Sequence, residues 1–251
     1  MKKVSDFFIN ENHVEYVPEE DYKNIENVIS TAQAFARMTY QGIYIIDYYK
    51  RIFLYVSDNP LFLCGMKPDE VKEMGYSFYT NHVPEDEQSF LLEINRTGFQ
   101  FFNQTPIEDR IKLSISYDFH VQNKSKKVLI NHKLTPVMLD KNGNIWIAAC
   151  YISLSSKKEA GNIEAHLDGR PDFWTYSLES HAWKKEENIR LTEREKEIIL
   201  LSAQGFTMEE IAENLYIATT TVKFHKNKLF SKLRVKSISE AIAVATNHKM
   251  I

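Results

Sequence analysis

Residues 219–236 read Thr-Thr-Thr-Val-Lys-Phe-His-Lys-Asn-Lys-Leu-Phe-Ser-Lys-Leu-Arg-Val-Lys, and they decide the fold of the C-terminal part of this chain. From Asn214 to Ser239 there is no Asp or Glu, although acidic residues are plentiful elsewhere. The cations of this window are Lys223, Lys226, Lys228, Lys232, Arg234 and Lys236. A short segment that has positive but no negative charge suits a phosphate backbone. The sequence predicts a helix that faces nucleic acid, with a solvated basic face as the plainer alternative.

Helix-start signals surround this segment. Thr192, Thr207 and Ser237 each stand three residues before a glutamate, which is the spacing of a capping box. An apolar pattern at helical spacing follows each box. Together with the basic helix, at about 219–233, these signals predict an all-α domain of four short helices with a helix-turn-helix over residues 190–251.

The basic helix has two distinct faces when it is plotted at 100° per residue. Val222, Leu229 and Leu233 fall on one arc and are predicted to face the domain core. The opposite face consists of Thr220, Lys223, Phe224, Asn227, Lys228 and Ser231. Such groups can read base edges and thymine methyls in a major groove. Lys226 lies towards the core arc, so we expect its stem on apolar surface and its ammonium at a phosphate.

This C-terminal part resembles the LuxR/NarL-type helix-turn-helix family over about a quarter of the chain. The matching positions are Leu191-Thr-Glu-Arg-Glu195, Gly205, Glu210-Ile-Ala212, Thr221-Val-Lys223, His225 and Lys232-Leu233. The resemblance implies that the third helix enters the major groove, with Lys223, Phe224 and Asn227 facing the groove. It also implies that Thr192 and Thr221 lie near phosphates.

Two further expectations follow from this resemblance. The fourth helix, Ser237 to His248, commonly supplies a dimer contact in the family. Ala218 stands where the family often has a capping Ser, so Thr219 is expected to cap the basic helix instead.

The rest of the chain has the opposite charge. Residues 190–251 contain ten Lys and Arg against seven Asp and Glu, and because the 251-residue chain has a formal net charge of −3, residues 1–189 carry −6. The asymmetry and the length predict two domains with different partners. The 2 cysteines are too few for a disulfide framework, and we see neither a transmembrane-length apolar stretch nor a signal-peptide core. We therefore expect a cytoplasmic protein that does not bind membranes.

The N-terminal part has the element order of an α+β domain. The predicted elements are a helix over 19–40, strands over 43–47 and 52–56, short helical pieces, a longer helix over 84–101, and strands over 111–122, 128–138 and 145–154. Strict alternation over 111–122 predicts one buried and one wet face, with Asp118 on the wet one. Residues 145–154 are apolar on both faces, which predicts a central strand.

This part resembles the PAS domain family over residues 42–155, after an N-terminal segment and helix over 1–41. The resemblance rests on Val56-Ser-Asp-Asn-Pro-Leu-Phe-Leu-Cys-Gly65, Asp69-Glu-Val71 and His82-Val-Pro-Glu-Asp86. It implies a sensory or dimerisation module with an antiparallel sheet, which often encloses haem, flavin or a small molecule.

The cofactor stays unknown at this point. Cys64 lacks the Asn-Cys-Arg surroundings of light-sensing PAS domains, so Cys64 and Cys150 are expected to be unreactive buried thiols. His82, His120 and His132 are candidate haem ligands, but none has metal-ligand spacing to another. The sequence thus leaves open whether the PAS-like pocket takes a small molecule or nothing.

Residues 156–189 are predicted to be a linker with a β-hairpin. Aromatic residues are dense over 172–178 and 181–184, on either side of the polar pair Glu179-Ser180. An isolated hairpin is only marginally stable in water, so we expect this one to pack on a neighbouring domain.

These features predict a sequence-specific DNA-binding transcription regulator whose PAS-like domain senses a signal or mediates dimerisation and controls the helix-turn-helix. The expected partners are double-stranded DNA and a second copy of the chain, with RNA polymerase as a further candidate. No nucleotide loop, nucleophile elbow or metalloprotease motif is present, so we do not expect an enzyme. Two alternatives stay open: a sigma-factor-like promoter reader, and a PAS-based signalling adaptor whose C-terminal domain contacts proteins.

Overall fold

A computed structural model of the chain describes residues 4–7, 10–124, 126–170, 172–187, 189–247 and 250–251. It divides into two compact units, Met1–Glu186 and Glu187–Ile251. The first unit combines helices with an antiparallel sheet and the second is helical, so the fold class is α+β as the sequence predicts. Across the described ranges, no helix is long and apolar enough to cross a membrane.

The N-terminal unit is built on one sheet. Its strands are β1 (Gly42–Asp47), β2 (Ile52–Val56), β3 (Leu113–Asn123), β4 (Lys126–Leu139), β5 (Ile145–Leu154), β6 (Gly161–Leu167), β7 (Phe173–Ser177) and β8 (Ala182–Glu186). Their order is β2-β1-β5-β4-β3-β6-β7-β8, and neighbours pair antiparallel. β5 lies between β1 and β4, which confirms the central position predicted from its two apolar faces.

Helices cover the sheet. They are α1 (Ile25–Thr39), α2 (Pro60–Leu63), α3 (Pro68–Met74), α4 (Ser77–His82), α5 (Glu85–Gln104) and α6 (Ile107–Arg110). The Tyr44 ring of β1 stacks on Phe62 of α2, and Tyr79 of α4 contacts Phe119 of β3, so the core lies between these helices and one sheet face. The helix predicted over 19–40 is shorter than expected because Glu19–Asn24 form a 3-10 turn.

The segment predicted as a linker belongs largely to the sheet. β6 pairs with β3, with Leu167 opposite Leu113, and β7 and β8 form the predicted hairpin at the end of the sheet. The alternation of the apolar residues Ile163, Ala165 and Leu167 with polar ones is the sequence signal that could have predicted β6. The hairpin is therefore stabilised by strand pairing along β6.

The prediction of a solvent-exposed face on β3 is wrong at one position. Asp118 is only 2% exposed, and its carboxylate accepts a hydrogen bond from Asn131 Nδ2 of β4 at 3.1 Å. Burial raises the pKa of the Asp118 carboxyl, and the bond from Asn131 opposes that shift. A polar residue on the outward register can be buried when neighbouring strands supply its hydrogen bonds.

Candidate nucleic-acid interface

The C-terminal unit contains four described helices, α7 (Glu193–Ala203), α8 (Met208–Asn214), α9 (Thr219–Leu233) and α10 (Ile238–Asn247). Their number and order agree with the predicted helix-turn-helix domain. His248, which the sequence placed at the end of the fourth helix, lies outside the described residues.

Two of the three predicted capping boxes are complete. Thr192 Oγ1 accepts from Glu195 N at 3.3 Å, and Thr192 N donates to Glu195 Oε2 at 2.7 Å. Thr207 and Glu210 repeat this arrangement at the start of α8. Before α10, Ser237 caps Glu240 N at 3.2 Å, but the Glu240 carboxylate accepts from Lys236 N instead of closing the box. These caps satisfy backbone donors that a helix start leaves without partners.

Gly205 ends α7 in a Schellman motif. Its φ is 91°, Gly205 N donates to Ser202 O at 3.1 Å, and Phe206 N donates to Leu201 O at 3.1 Å. Glycine adopts this left-handed backbone without steric strain. The motif thereby turns the chain towards α8.

The predicted cap of α9 is wrong. Ala218 is the N-cap residue, with φ −73° and ψ 147°, and no side chain caps the helix start. Thr219 already lies within the helix, so its hydroxyl is one position too late to act as N-cap. The helix begins instead with Thr221 N donating to Ala218 O at 2.8 Å.

The buried face of α9 agrees with the wheel. Val222 packs with Ile198 of α7 and Ile211 of α8, whereas Leu229 and Leu233 pack in a second cluster with α7 and α10. α9 is thus held by three helices, and the orientation of its opposite face is fixed by this packing.

The opposite face of α9 is open to solvent. Its exposed residues are Thr220, Lys223, Phe224, Asn227, Lys228 and Ser231. Phe224 is 62% exposed, which is unusual for an aromatic side chain that serves only packing. Thr221 and Lys226 are half-buried beside this face. The structure therefore brings eight of the nine predicted DNA-binding residues together on α9, while Thr192 lies at the start of α7.

A partly buried ion pair joins the start of α7 to α9. Lys232 Nζ lies 2.8 Å from Glu195 Oε2, the oxygen that also accepts from Thr192 N. Glu195 is 1% exposed. Burial by itself raises the pKa of the Glu195 carboxyl, but the bonds from Lys232 and Thr192 outweigh it and hold the pKa below its ordinary value. Lys232 is thus a structural lysine, and this pair places Thr192 at the side of α9.

Tyr216 lies in the turn between α8 and α9 and is 96% exposed. Its φ is 53°, a left-handed conformation that costs an L-residue about 1 kcal/mol.

We expect Tyr216→Gly to raise the free energy of unfolding of the C-terminal unit by about 1 kcal/mol, measured by denaturant titration with circular dichroism. Tyr216→Ala keeps the steric problem and is the matched control. Equal stability of both variants would contradict this explanation.

The candidate haem ligands and thiols of the N-terminal unit are engaged or buried. His82 Nδ1 lies 3.1 Å from Gln122 O, and His120 Nδ1 lies 2.5 Å from Glu87 Oε1. Burial raises the pKa of Cys64 to about 11 and that of Cys150 to about 12, so both thiols stay protonated near neutral pH. The described residues contain no cluster of three or more His, Cys, Asp or Glu side chains that could hold a metal ion.

His132 belongs to a buried hydrogen-bonded chain. Its Nε2 lies 2.6 Å from the Tyr44 hydroxyl, which also bonds the Tyr79 hydroxyl. His132 Nδ1 is buried and has no hydrogen-bond partner among the described residues. Beside this chain, Tyr117 lines a cavity of about 40 Å³ between α5 and the sheet.

Comparison with known proteins identifies the C-terminal domain. Residues 190–245 match the family described as bacterial regulatory proteins, luxR family. The response regulator protein VraR of Staphylococcus aureus (strain NCTC 8325 / PS 47) is 44% identical over 61 residues, which cover 24% of this chain and 29% of the relative. The same protein of Staphylococcus saprophyticus gives the same values. The chain thus spans about 29% of the length of the curated relatives it matches, and residues 190–245 form a LuxR-family helix-turn-helix domain.

Two solved structures can be overlaid on most of the chain. The phage VqmA-DPO complex has 16% identity and a TM-score of 0.32, covering 91% of this chain and 89% of that one. The Vibrio cholerae VqmA dimer has 16% identity and a TM-score of 0.30, covering 93% and 89%. TM-scores this low do not establish a shared fold.

Proposed function

We propose that this protein is a sequence-specific, DNA-binding transcription regulator. Its N-terminal PAS-like unit senses a small molecule or mediates dimerisation, and thereby controls the helix-turn-helix. The observation that carries this proposal is the outward face of α9, where exposed cationic, amide, hydroxyl and aromatic groups stand together without an acidic residue. This mixture suits a major groove, whereas an exposed face built only for solubility would carry both charge signs.

The residues of this face divide into two roles. Lys223, Lys226 and Lys228 supply charge, which gives affinity for phosphates independent of sequence. Asn227 can make a paired hydrogen bond to adenine, and Phe224 can contact a thymine methyl. Thr192, with its backbone N–H held by Glu195, contributes a hydroxyl at the helix start of α7.

The sensing role is supported by the architecture of the N-terminal unit. Two strands, short helices, one long helix and three strands follow each other as the PAS resemblance implies. The cavity between α5 and the sheet is lined mainly by apolar side chains, with phenol and amide groups at Tyr48, Tyr117 and Asn95. Ligand pockets have this composition, and ligand-induced changes in α5 or the sheet would reach the chain leading to Glu187.

A homodimer follows from the proposed DNA recognition. Two copies of α9 related by a two-fold axis would read half-sites about 34 Å apart, one helical turn of DNA. RNA polymerase is proposed as a further partner, because a transcription regulator acts on promoter use.

The direct test is capture of genomic DNA fragments with purified protein, comparing wild type with the double variant Lys223→Ala, Asn227→Ala. We expect a two-fold symmetric site to be enriched by wild type and lost with the variant. Recovery of the same site by both proteins would refute recognition through α9. Absence of any enriched site with wild type would favour the signalling-adaptor alternative.

Single substitutions separate the two roles on α9. We expect Lys223→Ala or Lys226→Ala to weaken binding to all sequences and to flatten the slope of log affinity against log salt by about one unit each. Asn227→Ala should instead reduce discrimination at one base pair, by about 1–3 kcal/mol. Fluorescence anisotropy titrations over a salt series measure both effects. Lys72→Ala, an exposed lysine of the N-terminal unit, is the control; an identical slope change there would rule out phosphate contact by α9.

A further inference from the structure

A further cavity lies where the C-terminal end of α5 meets the strands β3, β6 and β7. Its volume is about 210 Å³, against about 40 Å³ for the cavity between α5 and the sheet. We call it the α5–β7 cavity, and its lining includes Phe101, Gln104, Leu113, Leu167, Arg170 and Trp174. Gln104 and Arg170 are exposed, so the cavity opens to solvent and a ligand can enter without rearrangement of the fold.

Apolar side chains form the base and one side of the α5–β7 cavity. Leu113 of β3 is 2% exposed and Leu167 of β6 is 5% exposed, and the two residues are partners across the paired strands. The ring centroids of Phe101 and Trp174 lie 5.2 Å apart, with an angle of 65° between the ring planes. Both of these rings are half-buried, so part of each is in contact with solvent. A flat ring placed in the cavity would therefore bury further apolar surface against them.

The charge at the mouth of the α5–β7 cavity is positive. Among the described residues that line it, Arg170 alone is charged, and its side chain is 49% exposed. Arg170 Nη2 lies 3.1 Å from Asp109 Oδ2, and Lys112 Nζ lies 2.9 Å from Asp109 Oδ1. Two cations thus share one carboxylate, which leaves a net charge of +1 on the three side chains. Because a guanidinium has five N–H donors, Arg170 can bind a second carboxylate while it keeps its bond to Asp109.

The volume of the α5–β7 cavity limits the size of its ligand. A cavity that holds benzene has a volume of about 150 Å³. At about 210 Å³, the α5–β7 cavity has room for one such ring together with a carboxylate group. Pockets for drug-sized ligands begin at about 300 Å³, so a larger ligand would extend out of the cavity into solvent. Apolar walls with a single well-placed charged group are typical of small-molecule sites.

We propose that the α5–β7 cavity binds a single-ring aromatic carboxylate, with the ring against Phe101 and Trp174 and the carboxylate at Arg170. A cationic ligand is disfavoured because Arg170 repels it, and an uncharged ring lacks the charge-assisted hydrogen bond. The bound ligand contacts both α5 and β7, the first strand of the hairpin that ends at Glu186. This inference goes beyond the proposed function, which requires no ligand at this place.

The test uses 4-fluorobenzoate as the probe, with fluorine NMR titration of the full-length chain. The second probe, 4-fluorobenzamide, has nearly the same shape but no charge. We expect wild type to bind 4-fluorobenzoate with a Kd of about 1 mM or lower. The amide should bind about tenfold more weakly, because a hydrogen bond between charged groups is worth at least about that factor. Arg170→Gln should remove this preference, whereas Trp174→Leu should weaken the binding of both probes.

The matched control is Arg96→Gln, which removes an exposed arginine of α5 outside the cavity lining and should bind both probes like wild type. The proposal is overturned if wild type binds neither probe or binds both equally, or if Arg170→Gln keeps the preference. An equal loss in Arg96→Gln would also overturn it, because general charge attraction would then explain the binding. If Trp174→Leu does not fold, Arg170→Gln decides, since its position is exposed. The proposed function fails separately, because it depends on capture of a DNA site and not on either probe.

Discussion

Lys232→Met is expected to destabilise the C-terminal unit by about 3 kcal/mol, because it leaves the Glu195 carboxylate buried without its cation. Glu195 is 1% exposed, and its Oε1 has no hydrogen-bond partner within the described residues. Without Lys232, the carboxylate would therefore stay out of contact with water and keep only the bond from Thr192 N. A domain of this size has little stability to spare. The expected result is therefore a helix-turn-helix that melts well below the N-terminal unit.

The chain allows the two units to be followed separately. All 3 tryptophans, Trp146, Trp174 and Trp183, lie in the N-terminal unit, so tryptophan fluorescence reports that unit alone. Circular dichroism at the helical band reports the C-terminal helices in addition. We expect Lys232→Met to split the denaturation curve, with an early loss of helix signal and an unchanged fluorescence transition.

A double-mutant cycle identifies the cause. Glu195→Gln in the Lys232→Met background removes the unpaired charge and should restore much of the lost stability. Lys228→Met, on the exposed face of the same helix, should leave stability within about 0.5 kcal/mol of wild type. If Lys228→Met destabilises the unit as much as Lys232→Met, the ion pair is not the reason.

The Glu195 carboxyl also links this unit to pH. Its pKa in the folded state lies below the ordinary value of 4.5, so the stabilisation is fully present above that value and is lost as pH falls through the folded pKa.

Acidification from pH 6.5 to 4.5 is expected to destabilise the N-terminal unit by about 2.5 kcal/mol through His132 alone. His132 is 1% exposed, and burial lowers its pKa from 6.5 to about 3. Between these values the unfolded chain binds a proton that the folded chain does not. The free energy of unfolding therefore decreases by about 1.4 kcal/mol for each unit below pH 6.5, and the loss continues until the folded pKa is reached.

His132→Leu tests this linkage. The substitution removes the titrating group while Tyr44 keeps its bond to the Tyr79 hydroxyl. We expect a flatter dependence of stability on pH, measured by denaturant titrations followed by tryptophan fluorescence. Asp118, whose pKa is raised in the folded state, makes the opposite contribution, because its protonation stabilises the fold as pH falls. Asp118 is present in both wild type and His132→Leu, so it does not affect the comparison of their slopes. His13→Leu replaces an exposed histidine and should retain the wild-type slope. An unchanged slope in His132→Leu would refute the linkage.

Much of the C-terminal unit could be predicted from sequence because its determinants are local. The capping boxes at Thr192 and Thr207 and the apolar positions Val222, Leu229 and Leu233 act within one or two helical turns. The resemblance to a known helix-turn-helix family supplied the groove-facing assignment, which stays a prediction until DNA binding is measured. The error at Thr219 arose because the cap position depends on the backbone angles of Ala218, which composition does not specify.

In the N-terminal unit, strand identity was easier to predict than strand partners. Alternation predicted most of β3, and apolar character predicted the central place of β5. β6 was missed because its stabilisation comes from pairing with β3, which lies more than forty residues earlier in the chain. Asp118 was assigned to the solvent-exposed face because alternation along one strand does not predict the hydrogen bond from Asn131 on the neighbouring strand.

The α+β class, the helix-turn-helix and the separate basic and apolar faces of α9 could be predicted from residue order alone, since each follows from periodicity and capping over a few turns. The folded chain was needed to identify which basic residue is structural and which side chains fill the N-terminal core. The Lys232–Glu195 pair, the His132–Tyr44–Tyr79 chain and the contact of the Phe7 ring with Tyr79 each join residues far apart in sequence. Contacts of this kind leave no periodic signal, because they depend on how whole elements pack.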